Sequence, residues 1–415
     1  MFVNKVCAKI SLNPNLTFNN KGAMVLKYSK KCDIIKKRGD KMSKKKSNMK
    51  NLGAHLILIL IGALCGVIMV VYLDGIFEEY GFFLSLLFKL LIFLVTYYVQ
   101  LIIHEAGHLV AGLLTGYSFG SFRAGSIIIV KENGKLKIKK QTIAGTGGQC
   151  LMIPPKMVDG DFPVILYNLG GVLMNLLTLP ICVLLIRYLI GKPVLYTFCV
   201  FTFLSGLIIA LTNGIPLKLG MVNNDGSNAL ELRRDREARI AFYNQFMILD
   251  KIRSGVRLKD MSSEYFPMPS DEGMKNSISA SAAVFLENRL MDSQSFDEAH
   301  ELINKLLNMD SALIGLHKNL LICDKILILL MRGDNEGAQK LYSDKGYREF
   351  SKQMKTFLSV IRTEYAFAKL FEKDEKKAKE IWEKFEKCAK THPYSIDVES
   401  ERELLVLVDS LCKNQ

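Results

Sequence analysis

Four long apolar stretches in the first half of this 415-residue chain constrain its fold more than any other feature. They cover residues 53–73, 82–116, 164–190 and 194–212. Each is long enough to cross the hydrocarbon core of a bilayer as a helix, and no comparable stretch follows residue 228. Because lipid offers the backbone no hydrogen-bond partner, we expect an all-α membrane protein with four transmembrane helices over residues 52–230.

The positive charge of the chain is concentrated at its N-terminus. Residues 1–50 carry 14 Lys and Arg against 2 Asp, out of a net formal charge of +14. This basic tail, predicted as a separate region over residues 1–51, suits anionic lipid headgroups and gives little support to nucleic-acid binding. The connection 118–161 is basic and the turn 74–79 is acidic, so we expect a multi-pass plasma-membrane protein, bacterial by composition, with both termini cytoplasmic.

Translation is expected to begin inside this tail, at Met42. Residues 38–41 can be encoded by a purine-rich ribosome-binding site at a natural distance from that start codon. The alternative is a genuine N-terminal extension without fixed structure. Intact-mass measurement of protein made from the native locus distinguishes a chain that starts at Met42 from one that starts at Met1.

His104, Glu105 and His108 form an H-E-x-x-H motif inside the second apolar stretch. Two histidines four residues apart on a helix lie one turn above each other, so both imidazoles can reach one zinc ion. The glutamate beside them can activate a water molecule, and the chemistry implied is hydrolysis of a peptide bond. Ionisable side chains are expensive in lipid, so their presence there indicates function.

A catalytic zinc ion needs a third protein ligand besides the two histidines of this motif. The other histidines are His55, His300, His317 and His392, and none has a supporting motif. Asp225 is better placed, because it follows the fourth apolar stretch in a run where Pro216 breaks the helix and Gly226 permits close backbone approach. The alternative is that Asp225 is only a polar residue in an Asn-Asp-Gly turn.

Together these segments resemble a known family. The motif on one apolar stretch, with Asn213-x-x-Pro216 and Asp225-Gly226 after a later one, is similar to the site-2 protease family of intramembrane zinc metalloproteases. The resemblance covers roughly residues 82–228. It implies the family's membrane-embedded metal site and its proteolytic activity.

The resemblance also implies a role for each residue of the site. One zinc ion is bound by His104, His108 and Asp225, and Glu105 activates the attacking water. The loop of residues 217–224 is longer than the usual spacing in the family, which leaves the subgroup and the substrate open.

A weaker similarity lies in the third apolar stretch, where two glycines precede Asn175. Family members often have a Gly-rich turn with an Asn in this position. Packing of helices through small residues explains the pattern as well, with the amide as a hydrogen-bonding contact between helices. The candidates for contacts to the substrate or its oxyanion are Asn175, Asn213, Pro216 and Gly226.

A β-hairpin is expected in the connection after the motif. Residues 126–130 and 136–140 are strand-like and flank Asn133-Gly134. A helical peptide bond is shielded by its own hydrogen bonds, so a substrate must unwind, and an exposed strand edge could hold it. A surface hairpin with lysines on its edge explains the pattern equally well.

The C-terminal half contains an internal repeat. Ala299, Ala338 and Ala378 begin similar segments that are 39 and 40 residues apart. Met291, Leu330 and Leu370 stand eight residues before them. We expect residues 231–415 to form a cytoplasmic α-helical domain that resembles a degenerate tetratricopeptide-type solenoid and binds a protein partner. The alternative is ordinary helical packing, since the usual period is 34 residues.

Three functions are compatible with these patterns. The leading one is an intramembrane zinc metalloprotease that cleaves a membrane protein or a signal-peptide remnant. A membrane-anchored zincin acting on exposed proteins would need a later glutamate ligand, and none is apparent. A scaffold or export accessory would bind partners through the repeats around a non-catalytic zinc site. Glu105 argues against this last function, because a structural site has no use for a base.

Overall fold

The computed structural model of this protein describes five segments of the chain. They are residues 56, 59–132, 134–141, 146–216 and 223–413. The basic tail of residues 1–51 with Met42, and residues 217–222 of the long loop, lie outside the described residues. The predicted translation start therefore stays a prediction.

Four apolar helices make up the N-terminal half. They are α1 (Ile59–Leu73), α2 (Phe82–Leu114), α3 (Ile165–Tyr188) and α4 (Pro193–Gly214). The last three are long and apolar enough to cross a membrane, and they pack against one another in what we call the apolar bundle. Three of the four predicted spans are thus confirmed as helices of sufficient length. Helix α1 is shorter, and part of the first predicted span lies outside the described residues.

Helix α2 is polar on its buried face. Thr96, Gln100, His104 and His108 follow one another at four-residue intervals and are all buried. Leu, Ile, Val and Phe side chains of the same helix are exposed. In water a helix buries its apolar stripe, so a helix with a polar stripe inside and an apolar surface outside suits lipid.

Glycines bring α2 and α3 close together beside the motif. A Cβ atom at Gly107 would overlap the carbonyl oxygen of Gly170, and one at Gly170 would overlap the carbonyl oxygen of Gly107. Small residues at a helix crossing let two backbones approach closely within an apolar bundle. The crossing places the α3 backbone against the imidazoles of α2.

A four-stranded antiparallel sheet connects α2 to α3. Its strands are β1 (Ser118–Ala124), β2 (Ile127–Glu132), β3 (Lys135–Lys140) and β4 (Gly148–Ile153), in the order β3-β2-β1-β4. The predicted hairpin is confirmed as β2 and β3, with Val130 opposite Lys137. The sequence predicts only this hairpin and not strands β1 and β4. These two strands contain Gly, Ser and Cys and lack the run of β-branched residues that marks β2.

The outer edge of β3 is covered by the C-terminal half of the chain. The backbone N–H of Lys140 donates to the carbonyl of Thr391 over 3.3 Å, and the Nζ atom of Lys139 donates to the carbonyl of Pro393 over 2.7 Å. The opposite edge of the sheet is β4, which lies against α2. The sheet therefore links the apolar bundle to the C-terminal helices.

The C-terminal half is α-helical, as predicted. Its α-helices are α5 (Asp225–Arg234), α6 (Arg236–Arg253), α7 (Ser277–Asp292), α8 (Phe296–Asn308), α9 (Gly315–Met331), α10 (Asn335–Tyr342), α11 (Lys345–Gln353), α12 (Leu358–Ala366), α13 (Glu375–Ala389) and α14 (Ser395–Lys413). A π-helical segment, Phe367–Glu372, extends α12, and 3-10 turns span Glu78–Tyr80, Leu258–Asp260, Ser263–Tyr265 and Gly273–Lys275. Residues 61–415 form one compact unit, so the division at residue 230 stays a prediction.

Three helix pairs in this region share the same turn. The repeated alanines Ala299, Ala338 and Ala378 lie buried in the first turn of α8, α10 and α13. The residue five positions before each alanine has a left-handed backbone: Gln294 (φ 58°), Gly333 (φ 77°) and Lys373 (φ 54°). The sequence repeat thus corresponds to a repeated helix-turn-helix geometry, with a small residue where the two helices meet.

Candidate metal centre

Three side chains predicted as metal ligands converge in the apolar bundle. The Nε2 atom of His104 lies 3.0 Å from Oδ2 of Asp225 and 3.3 Å from Nε2 of His108, and His108 Nε2 lies 3.4 Å from the same Oδ2. In a tetrahedral zinc site with ligand distances of about 2.0–2.1 Å, ligand atoms are about 3.3 Å apart. The triangle therefore has the dimensions of one face of such a site, and the group could hold a metal ion.

The protein fixes both imidazoles so that their Nε2 lone pairs face this triangle. The Nδ1 atom of His108 lies 2.8 Å from the carbonyl oxygen of Tyr167, which can only accept, so Nδ1 carries the proton. The Nδ1 atom of His104 lies 2.6 Å from Oδ1 of Asn175. Two imidazole lone pairs and the Asp225 carboxylate then point at one another, an arrangement that requires a cation or additional protons.

Asn175 owes its orientation to Gln100. The two hydrogens of its amide go to the backbone and side-chain oxygens of Gln100, over 3.0 Å and 2.8 Å. The Nε2 atom of Gln100 donates in turn to Thr178 Oγ1 and to the carbonyl of Thr202. Oδ1 of Asn175 must therefore face His104. Since both amide hydrogens are used, Asn175 offers no donor to an oxyanion and instead orients a ligand.

Gly171 leaves room for the two imidazoles. A Cβ atom there would lie 2.6 Å from Nε2 of His108 and 2.7 Å from Nε2 of His104. Any side chain at Gly171 would enter the space between the ligand atoms. The glycines noted before Asn175 in the sequence thus have two separate roles, one at the helix crossing and one at the metal centre.

Asp225 is positioned by the residue before it. Asn224 caps α5, with its Oδ1 accepting from the Ser227 N–H over 3.0 Å. Its Nδ2 donates to the carbonyls of Thr212 and Ile215 at the end of α4, over 2.8 Å and 2.6 Å. Asp225 is the first residue of the capped helix, and the Asn-Asp-Gly sequence does not form the isolated turn that was the alternative reading. The sequence pattern does not reveal this capping role of Asn224, because the two carbonyls that it binds belong to the preceding helix.

The other three residues predicted to contact the substrate, Asn213, Pro216 and Gly226, lie in different surroundings. Gly226 packs so closely on the carbonyl of Gly214 that a Cβ atom would overlap it, which confirms the close approach expected there. Pro216 follows the end of α4 and is exposed. Asn213 lines the metal-site cavity, and its Nδ2 donates to the carbonyl of Ile209 over 3.0 Å. Of these three residues, only Asn213 is placed to meet a substrate.

Glu105 is buried beside the ligands. It lines a cavity of about 570 Å³ together with His104, His108 and Asp225. Gly148, the first residue of β4, lies directly against its carboxylate, since a Cβ atom there would overlap Oε1. Glu105 and the three predicted metal ligands therefore line the same cavity.

Arg123 adds a buried positive charge next to Glu105. Its Nη1 donates to the carbonyl of Gly125 over 2.9 Å and its Nη2 to the carbonyl of Gly148 over 3.1 Å. Burial lowers the pKa of the Arg123 guanidinium, and the charge of Glu105 opposes that shift. Arg123 belongs to the basic connection 118–161, from which the sequence predicts only the membrane orientation. The sequence signal for a buried arginine was its position between two apolar residues of a strand, Phe122 and Ala124.

Strand β4, and not the predicted hairpin, forms a wall of this cavity. Residues 147–151 line it, whereas none of the lining residues within the described segments belongs to β2 or β3. Within the described residues the hairpin therefore does not line the metal-site cavity, and whether any strand edge holds a substrate stays a prediction. The reason is topological, because β1 lies between β4 and the hairpin and carries the hairpin away from the motif.

Comparison with known proteins does not add to this picture. No protein family, no curated protein and no solved structure matches the chain. The centre is therefore defined by its own geometry, as a two-histidine, one-carboxylate group inside an apolar helix bundle. Within the described residues it is the only such group of three potential ligands.

Proposed function

We propose that this protein is an intramembrane zinc metalloprotease of the site-2 protease type. The observation that carries the proposal is the convergence of three acceptor atoms, at the spacing of tetrahedral zinc ligands, in a cavity that Glu105 also lines. His104, His108 and Asp225 would hold one zinc ion. The exposed apolar surface of the bundle supports a location in a membrane. The basic N-terminal tail and the basic connection 118–161 support the proposal that this is a plasma membrane with both termini in the cytoplasm.

The residues of the cavity divide the chemistry among them. Zinc, when bound, supplies Lewis acidity that activates water near neutral pH and polarises a carbonyl. Glu105 accepts the proton of the attacking water and delivers it to the leaving amine. The hydrogen bonds from Nδ1 of His104 and His108 keep both rings in place during the reaction.

Strand β4 supports a mode of substrate binding. It is an edge strand, pairing on one side with β1, and residues 147–151 line the cavity. A helical substrate must become extended before water can attack its peptide bond, and β4 would hold the extended segment as an added strand. The substrate class is a membrane protein or a signal-peptide remnant.

The C-terminal helices would bind a protein partner. The three helix pairs with the same left-handed turn support a tetratricopeptide-like arrangement over residues 231–415. Such stacked pairs present a concave surface. We propose that this surface recruits the substrate or a regulator.

Replacement of Glu105 tests the proposal directly. Glu105→Gln keeps the shape of the side chain and removes the base, so we expect cleavage of a co-expressed single-pass membrane protein to fall at least about 1000-fold. Zinc content of the purified protein should stay at one per chain. Glu79→Gln, at an exposed position, is the matched control. Identical membrane-protein fragments from wild type and Glu105→Gln would favour the scaffold function.

A further inference from the structure

The C-terminal helices form part of the wall around the metal centre. Residues of α6, α7 and α9 and of the segment before α9 line the same cavity as the ligands. They are Phe242, Gln245, Phe246, Leu249, Ser277, Ile278, Ser281, Ile314 and His317. A substrate in this cavity would therefore touch both halves of the chain.

His317 differs from every other residue on that wall. It lies in the first turn of α9, lines the cavity, and its buried Nδ1 atom has no hydrogen-bond partner within the described segments. His104 and His108, by contrast, have both nitrogens engaged. A buried ring nitrogen without a partner costs free energy, and a ligand that supplies the missing hydrogen bond recovers it.

The protonation state of His317 indicates what it can bind. Burial lowers the pKa of its imidazole to about 4, so the ring is neutral near pH 7. A neutral imidazole donates one hydrogen bond and accepts one. The main chain of a polypeptide offers both complementary groups, whereas a purely anionic ligand accepts hydrogen bonds and offers no donor to the second ring nitrogen.

We propose that His317 is a substrate-binding residue that hydrogen-bonds the main chain of the polypeptide segment entering the metal-site cavity. This inference rests on the proposed proteolytic function. It assigns to the C-terminal region a direct contribution to the active site, beyond recruitment of a partner. The surrounding Phe242, Phe246 and Leu249 would contact apolar side chains of the same segment.

His300 provides a matched control. It lies on α8 in the same half of the chain, its Nδ1 also lacks a partner among the described residues, and burial lowers the pKa of its ring as well. It does not line the cavity within the described residues. A general effect of removing a buried histidine should appear in both variants, and an effect on substrate only in His317→Ala.

The experiment uses full-length, zinc-loaded protein and fluorescein-labelled β-casein, an unfolded protein that presents extended main chain. We expect His317→Ala to raise KM about 10-fold with kcat changed less than 3-fold, and His300→Ala to match wild type. In the Glu105→Gln background, His317→Ala should weaken casein binding about 10-fold by fluorescence anisotropy. Zinc content should be equal in all variants. His317→Asn or His317→Gln, which keep a neutral donor and acceptor, should restore part of the loss.

The outcomes separate this inference from the proposed function. Cleavage that depends on Glu105 but is unaffected by His317→Ala, with unchanged casein binding, overturns the role of His317 and leaves the protease standing. If wild type cleaves nothing, the protease proposal fails, and the binding assay alone decides about His317. Weakened binding specific to His317→Ala then supports the contact, and equal binding, or none by any variant, refutes it. Loss of zinc or of folding in His317→Ala but not in His317→Asn assigns the residue a structural role instead.

Discussion

The apolar bundle and the C-terminal helices expose opposite kinds of side chain, although both also bury apolar ones. The bundle has Thr96, Gln100, His104 and Asn175 inside and Leu, Val and Phe outside. The C-terminal region has a large core of Ala, Leu, Ile and Phe inside and Lys and Glu outside. The surface of the first region suits lipid, and the surface of the second suits water.

The two regions also use buried polar groups differently. In the C-terminal region several buried charges are paired with each other, as Arg362 is with Asp324 over 2.6 Å and with Glu401 over 3.0 Å. In the bundle, His104, His108 and Asp225 present acceptors to one another. Paired charges stabilise or specify a fold, whereas converging acceptors need a ligand. The comparison teaches that the arrangement of buried polar groups, and not their presence, indicates function.

The strongest test removes an acceptor from the bundle. Asp225→Ala should lose stoichiometric zinc and all cleavage, because two histidines alone bind zinc weakly. Zinc content by inductively coupled plasma mass spectrometry measures this. Asp260→Ala, at an exposed position, should behave as wild type. Full zinc content and full activity in Asp225→Ala would show that the converging acceptors do not bind the metal, and the contrast with the paired charges of the C-terminal region would no longer indicate function.

A second test adds a single methyl group at the centre. Gly171→Ala places a Cβ atom within 2.7 Å of both Nε2 atoms, so we expect zinc affinity to fall about 100-fold, comparable to the loss of a supporting contact. Competition with a zinc chelator gives the affinity. Gly66→Ala in α1, where a Cβ atom meets nothing within 4 Å, is the control. Unchanged affinity in Gly171→Ala would show that the imidazoles are not held where the structure has them.

In the C-terminal region, the corresponding test breaks a buried charge pair. Arg362→Ala leaves Asp324 and Glu401 buried without their partner, which should lower the free energy of unfolding by about 3–5 kcal/mol. The single tryptophan, Trp382 on α13, reports unfolding of this region in urea. Arg332→Ala, from an exposed pair with Asp297, should cost about 0–1 kcal/mol. Equal losses of unfolding free energy in Arg362→Ala and Arg332→Ala would show that burial of a charge pair does not raise the cost of breaking it.

The smallest effect concerns an acid in the same region, Asp397, that has no ion-pair partner among the described residues. Burial, followed by the charges of Glu401 and Asp292, raises the pKa of Asp397 to about 7. Because this folded-state pKa exceeds the unfolded value of about 3.9, its contribution to stability is full below pH 4 and is lost as the pH rises through 7. Asp397→Asn stays neutral and should be more stable than wild type at pH 8, by about 1–2 kcal/mol.

The pH dependence provides the check on that prediction. Urea unfolding followed by Trp382 fluorescence should show the full gain at pH 8 and only about a third of it at pH 5, because the loss accumulates between the unfolded and the folded pKa. Asp271→Asn, at an exposed position, should show no such difference. A gain of the same size at both pH values would assign the effect to packing.

How much of the site could be predicted depended on how local its signal is. His104, Glu105 and His108 are contiguous on one helix, so their spacing alone placed them together, and Asp225 was found from its position after a later apolar stretch. Tyr167 acts through its backbone carbonyl, which no side-chain pattern reveals. The hydrogen bond between Gln100 and Asn175 crosses two helices and depends on their register.

The sequence by itself determined the apolar helices, the hairpin, the helical character of the C-terminal half and the four central residues of the metal centre, because helix period, apolar length and turn residues are local properties. Tertiary structure alone decided which strand lines the cavity, which way each imidazole faces, and that the wall of the cavity includes His317. These features depend on packing between segments far apart in the chain. A residue such as His317, which lies 209 positions after His108 in the sequence, meets the site only because the chain folds back over it.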